Sequence, residues 1–152
     1  MAKYIYYNPN PLGNKTGDCV IRALTKFLDI DWDTVYLDLF AMAFKKKDMM
    51  DKNSTWGDYL KSLGYERKFI PNTCPMCYSI SDFADEHPLG KYVVATDSHV
   101  VAIVDGNYYD TWDSGDKIPM FYWEKGEAPN GTTKLSAANV LSTTSSAADL
   151  SK

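Results

Sequence analysis

Apolar positions along the chain follow two periods, helical first and strand-like later. Val20, Ala23, Leu24, Phe27 and Leu28 recur every three to four residues, which predicts a helix over 19–28 with Cys19 as its first residue. A second helix is predicted from Asp33 or Thr34 to about Phe44, capped by Asp31 or Asp33, with Val35, Leu39, Met42 and Ala43 near one face. Residues 54–63 predict a third, ended by Gly64, and a short fourth follows Ser79 or Ser81 and stops before Pro88-Leu89-Gly90.

Strand-like patterning brackets these helices. Tyr4-Ile5-Tyr6-Tyr7 is a short β-prone run, broken by the prolines and glycine of residues 8–14. After the helices, 91–95 and 99–104 read as strands, 108–112 as the hairpin partner of the latter across Asp105-Gly106-Asn107, and 121–123 as a closing strand. Helices followed by an antiparallel sheet predict an α+β domain with a cleft between a helical half and a sheet half. Cys19 belongs to the first half and His99 to the second.

With 152 residues and 45% hydrophobic content, the chain can bury one core, which is expected to span residues 1–126. From residue 127 the composition turns to Ala, Ser, Thr and Gly, as in Ser142-Thr143-Thr144-Ser145-Ser146, and a flexible low-complexity tail is expected there. A formal charge of -4 gives no global attraction to nucleic acid or an anionic membrane. The one basic run, Lys45-Lys46-Lys47, reads as the solvated end of a helix. No apolar stretch approaches the roughly 20 residues of a membrane span, and Met1-Ala2-Lys3-Tyr4 does not open a signal peptide, so a cytosolic protein is expected. Three cysteines without regular spacing also suit a reducing compartment.

A thiol at a helix start gains from the helix dipole, and an adjacent imidazolium lowers its pKa further from about 8.5. His99, which opens a strand after Thr96-Asp97-Ser98, is the candidate base for Cys19, while His87 lies before Pro88 in a loop and reads as structural or exposed. The hairpin selects the third member. A two-residue turn at Asp105-Gly106 sets His99 opposite Trp112 and Val101 opposite Asp110, so Asp110 lies diagonal to His99 on one face. A three-residue loop would bring in Asp113 instead. For an oxyanion, the Cys19 backbone N–H is one donor and Asn14 the best-placed side-chain amide, ahead of Asn10 and Asn8. Arg22 reads as a surface ion-pair residue or as a tie for the cleft loop. Cys74-Pro75-Met76-Cys77 has the spacing of half a zinc site or of a redox pair, yet Pro71 and Pro75 place it in a loop and the other ligands are lacking.

Residues 17–24, residues 87–113, Trp32, Val35-Tyr36 and Leu63-Gly64-Tyr65 together resemble the papain-like cysteine peptidases of tailed phages and Gram-positive prophages, over about residues 4–124. The resemblance implies a helical half packed on an antiparallel sheet, Cys19 and His99 as catalytic dyad and Asp110 as third member. It further implies cleavage of a peptide or isopeptide bond through a thioester, without metal or organic cofactor. The substrate or partner would be a phage structural protein, a host protein or a peptidoglycan cross-link, and a virion location is a second expectation. Where papain has a glutamine six residues before its cysteine, this chain has Gly13. A non-catalytic binding module and a virion structural component are the alternatives from other classes.

Overall fold

The computed structural model describes residues 1–127. The expectation of a flexible tail therefore falls outside the described residues. The elements are β1 (Lys3–Tyr6), α1 (Cys19–Leu28), α2 (Trp32–Lys46), α3 (Asn53–Ser62), β2 (Tyr65–Phe69), α4 (Ile80–Glu86), β3 (Lys91–Ala95), β4 (Val100–Val104), β5 (Asn107–Asp110) and β6 (Phe121–Lys125). They form an α+β domain around one six-stranded sheet in the order β1-β5-β4-β3-β6-β2.

The sheet departs from the expected one in two ways. It is mixed rather than antiparallel, because β1 runs parallel to β5, from Lys3 opposite Asn107 to Tyr6 opposite Asp110. It also recruits strands from the helical half, since β2 pairs with β6 at the far edge. The pattern of β2, Tyr-Glu-Arg-Lys-Phe, hides it: four of its five residues are exposed, so no apolar alternation marks the strand.

Both faces of the central strands are covered. Val93, Ala95, Val100, Ala102, Phe121 and Trp123 join the core beneath α1, α2 and α3. Val94, Val101, Ile103 and Tyr108 meet Ile80, Phe83 and Ala84 of α4 on the other side. Two buried faces explain why β4 reads Val-Val-Ala-Ile-Val without a polar position. Under the helices Trp56 stacks on Phe121 with centroids 5.9 Å apart. The neighbouring Gly57 packs closely on the Trp123 ring, for a Cβ there would sit 3.1 Å from it and the ring would have to shift by a few tenths of an ångström. His87 is structural, its ring stacked on Phe83 at 3.9 Å and its Nδ1 2.7 Å from the Phe83 carbonyl oxygen. Among the described residues no helix is long and apolar enough to cross a membrane.

Candidate active site

Topology brings three distant segments to one end of the sheet. β4 begins where its antiparallel neighbour β5 ends, and the parallel strand β1 ends there too, with the Tyr7 N–H donating to the Asp110 carbonyl at 2.8 Å. The loop of residues 8–18 then delivers the chain to α1, so Cys19 arrives at the same end. Asparagines hold that loop. The Asn10 side-chain oxygen accepts from the N–H groups of Leu12 and Asn14, and the Asn8 amide donates to the carbonyls of Gly13 and Asn14. Asn14 itself is exposed and is not among the residues lining the cleft beside Cys19, so the expected second oxyanion donor is not found there.

His99 is presented by the turn between β3 and β4, where Thr96 N–H donates to the His99 carbonyl at 2.8 Å and His99 N–H donates to Thr96 Oγ1 at 3.0 Å. The β4–β5 hairpin has the two-residue turn Asp105-Gly106, both residues with positive φ, and its register sets Ala102 opposite Tyr109 and Ile103 opposite Tyr108. That register carries Asp110 to the diagonal of His99. His99 Nε2 lies 2.5 Å from Asp110 Oδ2, which leaves Nδ1 as the ring nitrogen not engaged by Asp110, and Cys19 and His99 line the same cleft. Asp113 is elsewhere, accepting from Tyr108 Oη at 2.7 Å.

Burial alone would push the Cys19 thiol up, but the His99 hydrogen bond and charge, the Val100 backbone N–H and the Arg22 charge outweigh it and hold the thiol below its ordinary value. Burial likewise opposes charge on His99, yet Asp110 and Cys19 raise its pKa to about 9. Asp110 is fully buried, and although burial opposes its charge, the His99 and Ser114 hydrogen bonds and the Thr111 N–H keep its carboxyl below the usual range. The three shifts together favour a thiolate–imidazolium–carboxylate row near neutral pH.

The row continues inward. Arg22, only 4% exposed, donates to Asp110 Oδ1 at 2.8 Å and to Asp18 Oδ1 at 2.5 Å, and Asp18 also accepts from Trp32 Nε1 at 2.9 Å. Charges thus alternate from Cys19 through His99, Asp110 and Arg22 to Asp18. Of the two roles considered for Arg22, the structure shows a buried tie. Ser114, four residues after Asp110, donates to Oδ2 at 2.7 Å, and no periodicity marked it in advance.

Asp18 occupies the N-cap position of α1 without capping it, because its carboxylate is turned to Arg22 and Trp32. First-turn N–H groups, that of Cys19 included, are therefore not filled by the cap side chain and stay available as donors at the helix start. The cleft at this point has a volume of about 290 Å³, with Asp51, Lys52 and Asn53 on the helical side and Thr96, Asp97 and Ser98 on the sheet side. Asn53, which no sequence signal marked, accepts from Trp56 Nε1 through Oδ1 and keeps its amide nitrogen as a donor. An apolar hollow of about 210 Å³, walled by Val20, Ile21 and Met50, adjoins the cleft at Val20 and Asp51.

Cys74 and Cys77 lie together in an exposed loop, both as free thiols, with Cys77 pushing the Cys74 thiol up. Among the described residues no cluster of three or more His, Cys, Asp or Glu side chains forms a metal-binding group around the pair. No protein-family model, curated protein or solved structure matches this chain.

Proposed function

We propose that the protein is a papain-like thiol hydrolase that cleaves a peptide or isopeptide bond through a thioester on Cys19. The observation that carries this reading is the Cys19–His99–Asp110 row at the start of α1, with the thiol lowered and the imidazole raised in pKa. His99 Nε2–H donates to the Asp110 carboxylate, so Nδ1 is the nitrogen that takes the thiol proton.

The chemistry then follows in two halves. The Cys19 thiolate adds to the carbonyl carbon, and the oxyanion is met by the Cys19 N–H at the helix start. Imidazolium Nδ1–H protonates the departing amine as the C–N bond breaks, leaving the acyl group on sulfur. His99, neutral again, takes a proton from water as its oxygen attacks the thioester. The carboxylic acid departs and the thiolate–imidazolium pair is restored. The apolar hollow beside Val20 suits a non-polar side chain next to the cleaved bond. The sequence resemblance to phage and prophage peptidases is the ground for reading the enzyme as phage-encoded, with a protein or peptide as substrate.

Iodoacetamide labelling tests the reading at the one atom that matters. Followed by peptide mass spectrometry from about pH 5 to about pH 10, Cys19 is expected to react well below the pH at which Cys74 and Cys77 do. In His99→Ala that advantage is expected to vanish. If Cys19 labels no faster than the two loop thiols, and is indifferent to His99, the hydrolase reading fails and a binding cleft remains.

A further inference from the structure

Helix α2 has two apolar faces. Val35, Leu39 and Ala43 are buried against the rest of the helical half. On the other side Leu37, Phe40 and Phe44 are 63%, 53% and 65% exposed, with the exposed Ala41 between them. Positions 37, 40, 41 and 44 have the i, i+3, i+4, i+7 spacing of one stripe. Phe40 and Phe44 already stack on each other, centroids 6.4 Å apart. Single exposed apolar residues are ordinary, whereas large ones aligned along one helix mark a contact surface.

The charges around the stripe identify its occupant. Exposed Asp33 and Lys47 flank it on one side, with Lys47 Nζ 3.8 Å from the Phe44 ring centroid, and exposed Asp38 and Lys45 on the other. Asp38 Oδ2 accepts from Tyr59 Oη at 2.9 Å, and Oδ1 is left to face outward. Lys46 is turned away, paired with Asp58. On each flank an acid lies toward the N-terminal end and a base toward the C-terminal end, so the pattern becomes its own complement after a half turn. Self-complementarity of that kind is what an isologous twofold interface requires.

We infer that this stripe is the contact between two copies of the chain, α2 packed on antiparallel α2 about a twofold axis near Phe40 and Ala41. A twofold perpendicular to the plane of the two helices returns each flank to itself. Leu37 then packs on the partner's Phe44, and Phe40 on the partner's Ala41, where a small side chain admits the ring. Asp33 meets the partner's Lys47 and Asp38 meets the partner's Lys45, each pair occurring twice. Parallel pairing would set like charges against each other, and antiparallel helix dipoles favour the arrangement further. The inference rests on α2 alone and is independent of the thiol chemistry. One helix stripe covers less than the roughly 1,000 Å² of a stable interface, so association is weak and concentration-dependent.

Sedimentation of the full chain from about 5 µM to about 500 µM is expected to show the mass rising from one chain toward two. Phe44→Glu replaces a side chain outside the core and is expected to weaken association about tenfold or more. Asp33→Lys and Lys47→Asp should each weaken it alone, and an equal mixture of the two variants should recover it, because every contact on that flank is again between opposite charges. Lys47 has φ 57, a conformation aspartate tolerates. A mass of one chain at every concentration overturns the inference and leaves the stripe to a different protein. Association indifferent to Phe44→Glu, or a mixture no stronger than its components, overturns it as well.

Discussion

Replacing Arg22 with methionine is expected to lower the stability of the folded chain by about 3–5 kcal/mol. Methionine keeps most of the volume but removes every donor between two buried carboxylates, Asp18 at 5% and Asp110 at 0% exposure. Asp110 would keep His99, Ser114 and the Thr111 N–H, while Asp18 would keep Trp32 Nε1. A buried carboxylate that has lost its counter-charge costs far more than the ion pair contributes over an apolar substitute, so the effect comes from what is left behind. Arg22→Lys restores the charge without the planar fork that reaches both acids, and an intermediate loss is expected. Urea unfolding is the measurement. A lower midpoint at unchanged slope in the methionine variant, partly restored by lysine, supports the buried tie. An unchanged midpoint would show that the two acids accept neutral surroundings. The guanidinium also helps to hold the Cys19 thiol low, so the labelling profile of Arg22→Met should move to higher pH.

The parts of this molecule that sequence made legible are those governed by local rules. The 19–28 helix shows in its apolar spacing, and the diagonal of His99 and Asp110 follows from a two-residue Asp-Gly turn, whose φ values of 47 and 76 the structure contains. Other features depend on what a residue meets far along the chain. Arg22 is a surface residue by composition and a buried one by topology, because α1 packs on β4 and β5 and sets it between Asp18 and Asp110. β2 is a strand only because β6 offers it an edge. The asparagines of residues 8–14 have the chemistry of oxyanion donors, but turn geometry spends the Asn8 and Asn10 side chains on their own loop and Asn14 lies exposed outside the cleft. Asp18 is the reverse case, a cap residue by type that structure diverts to Arg22, leaving the helix start open beside Sγ.

Asp110→Asn is expected to slow alkylation of Cys19 at neutral pH by about thirtyfold or more while disturbing the backbone little. An ordinary thiol of pKa about 8.5 is only about 3% thiolate at pH 7, which sets the scale of what the row provides. The asparagine amide would face two groups that now donate, His99 Nε2–H and Ser114 Oγ–H. Ser114 can rotate to accept, but His99 accepts at Nε2 only by moving its proton to Nδ1, the nitrogen needed as base toward Cys19. The tautomer is then wrong and the imidazolium is no longer held by a carboxylate, so the His99 pKa falls from about 9 toward 6.5 and the thiol rises. Stability reports the same change independently. A histidine raised in the folded state contributes fully below about pH 6.5, and its contribution is lost as pH rises through about 9. The parent chain should therefore lose stability over that interval, and Asp110→Asn should flatten the loss. If the variant labels like the parent and shows the same pH dependence of unfolding, Asp110 does not govern His99. The row would then reduce to a Cys19–His99 pair resting on a buried ion network.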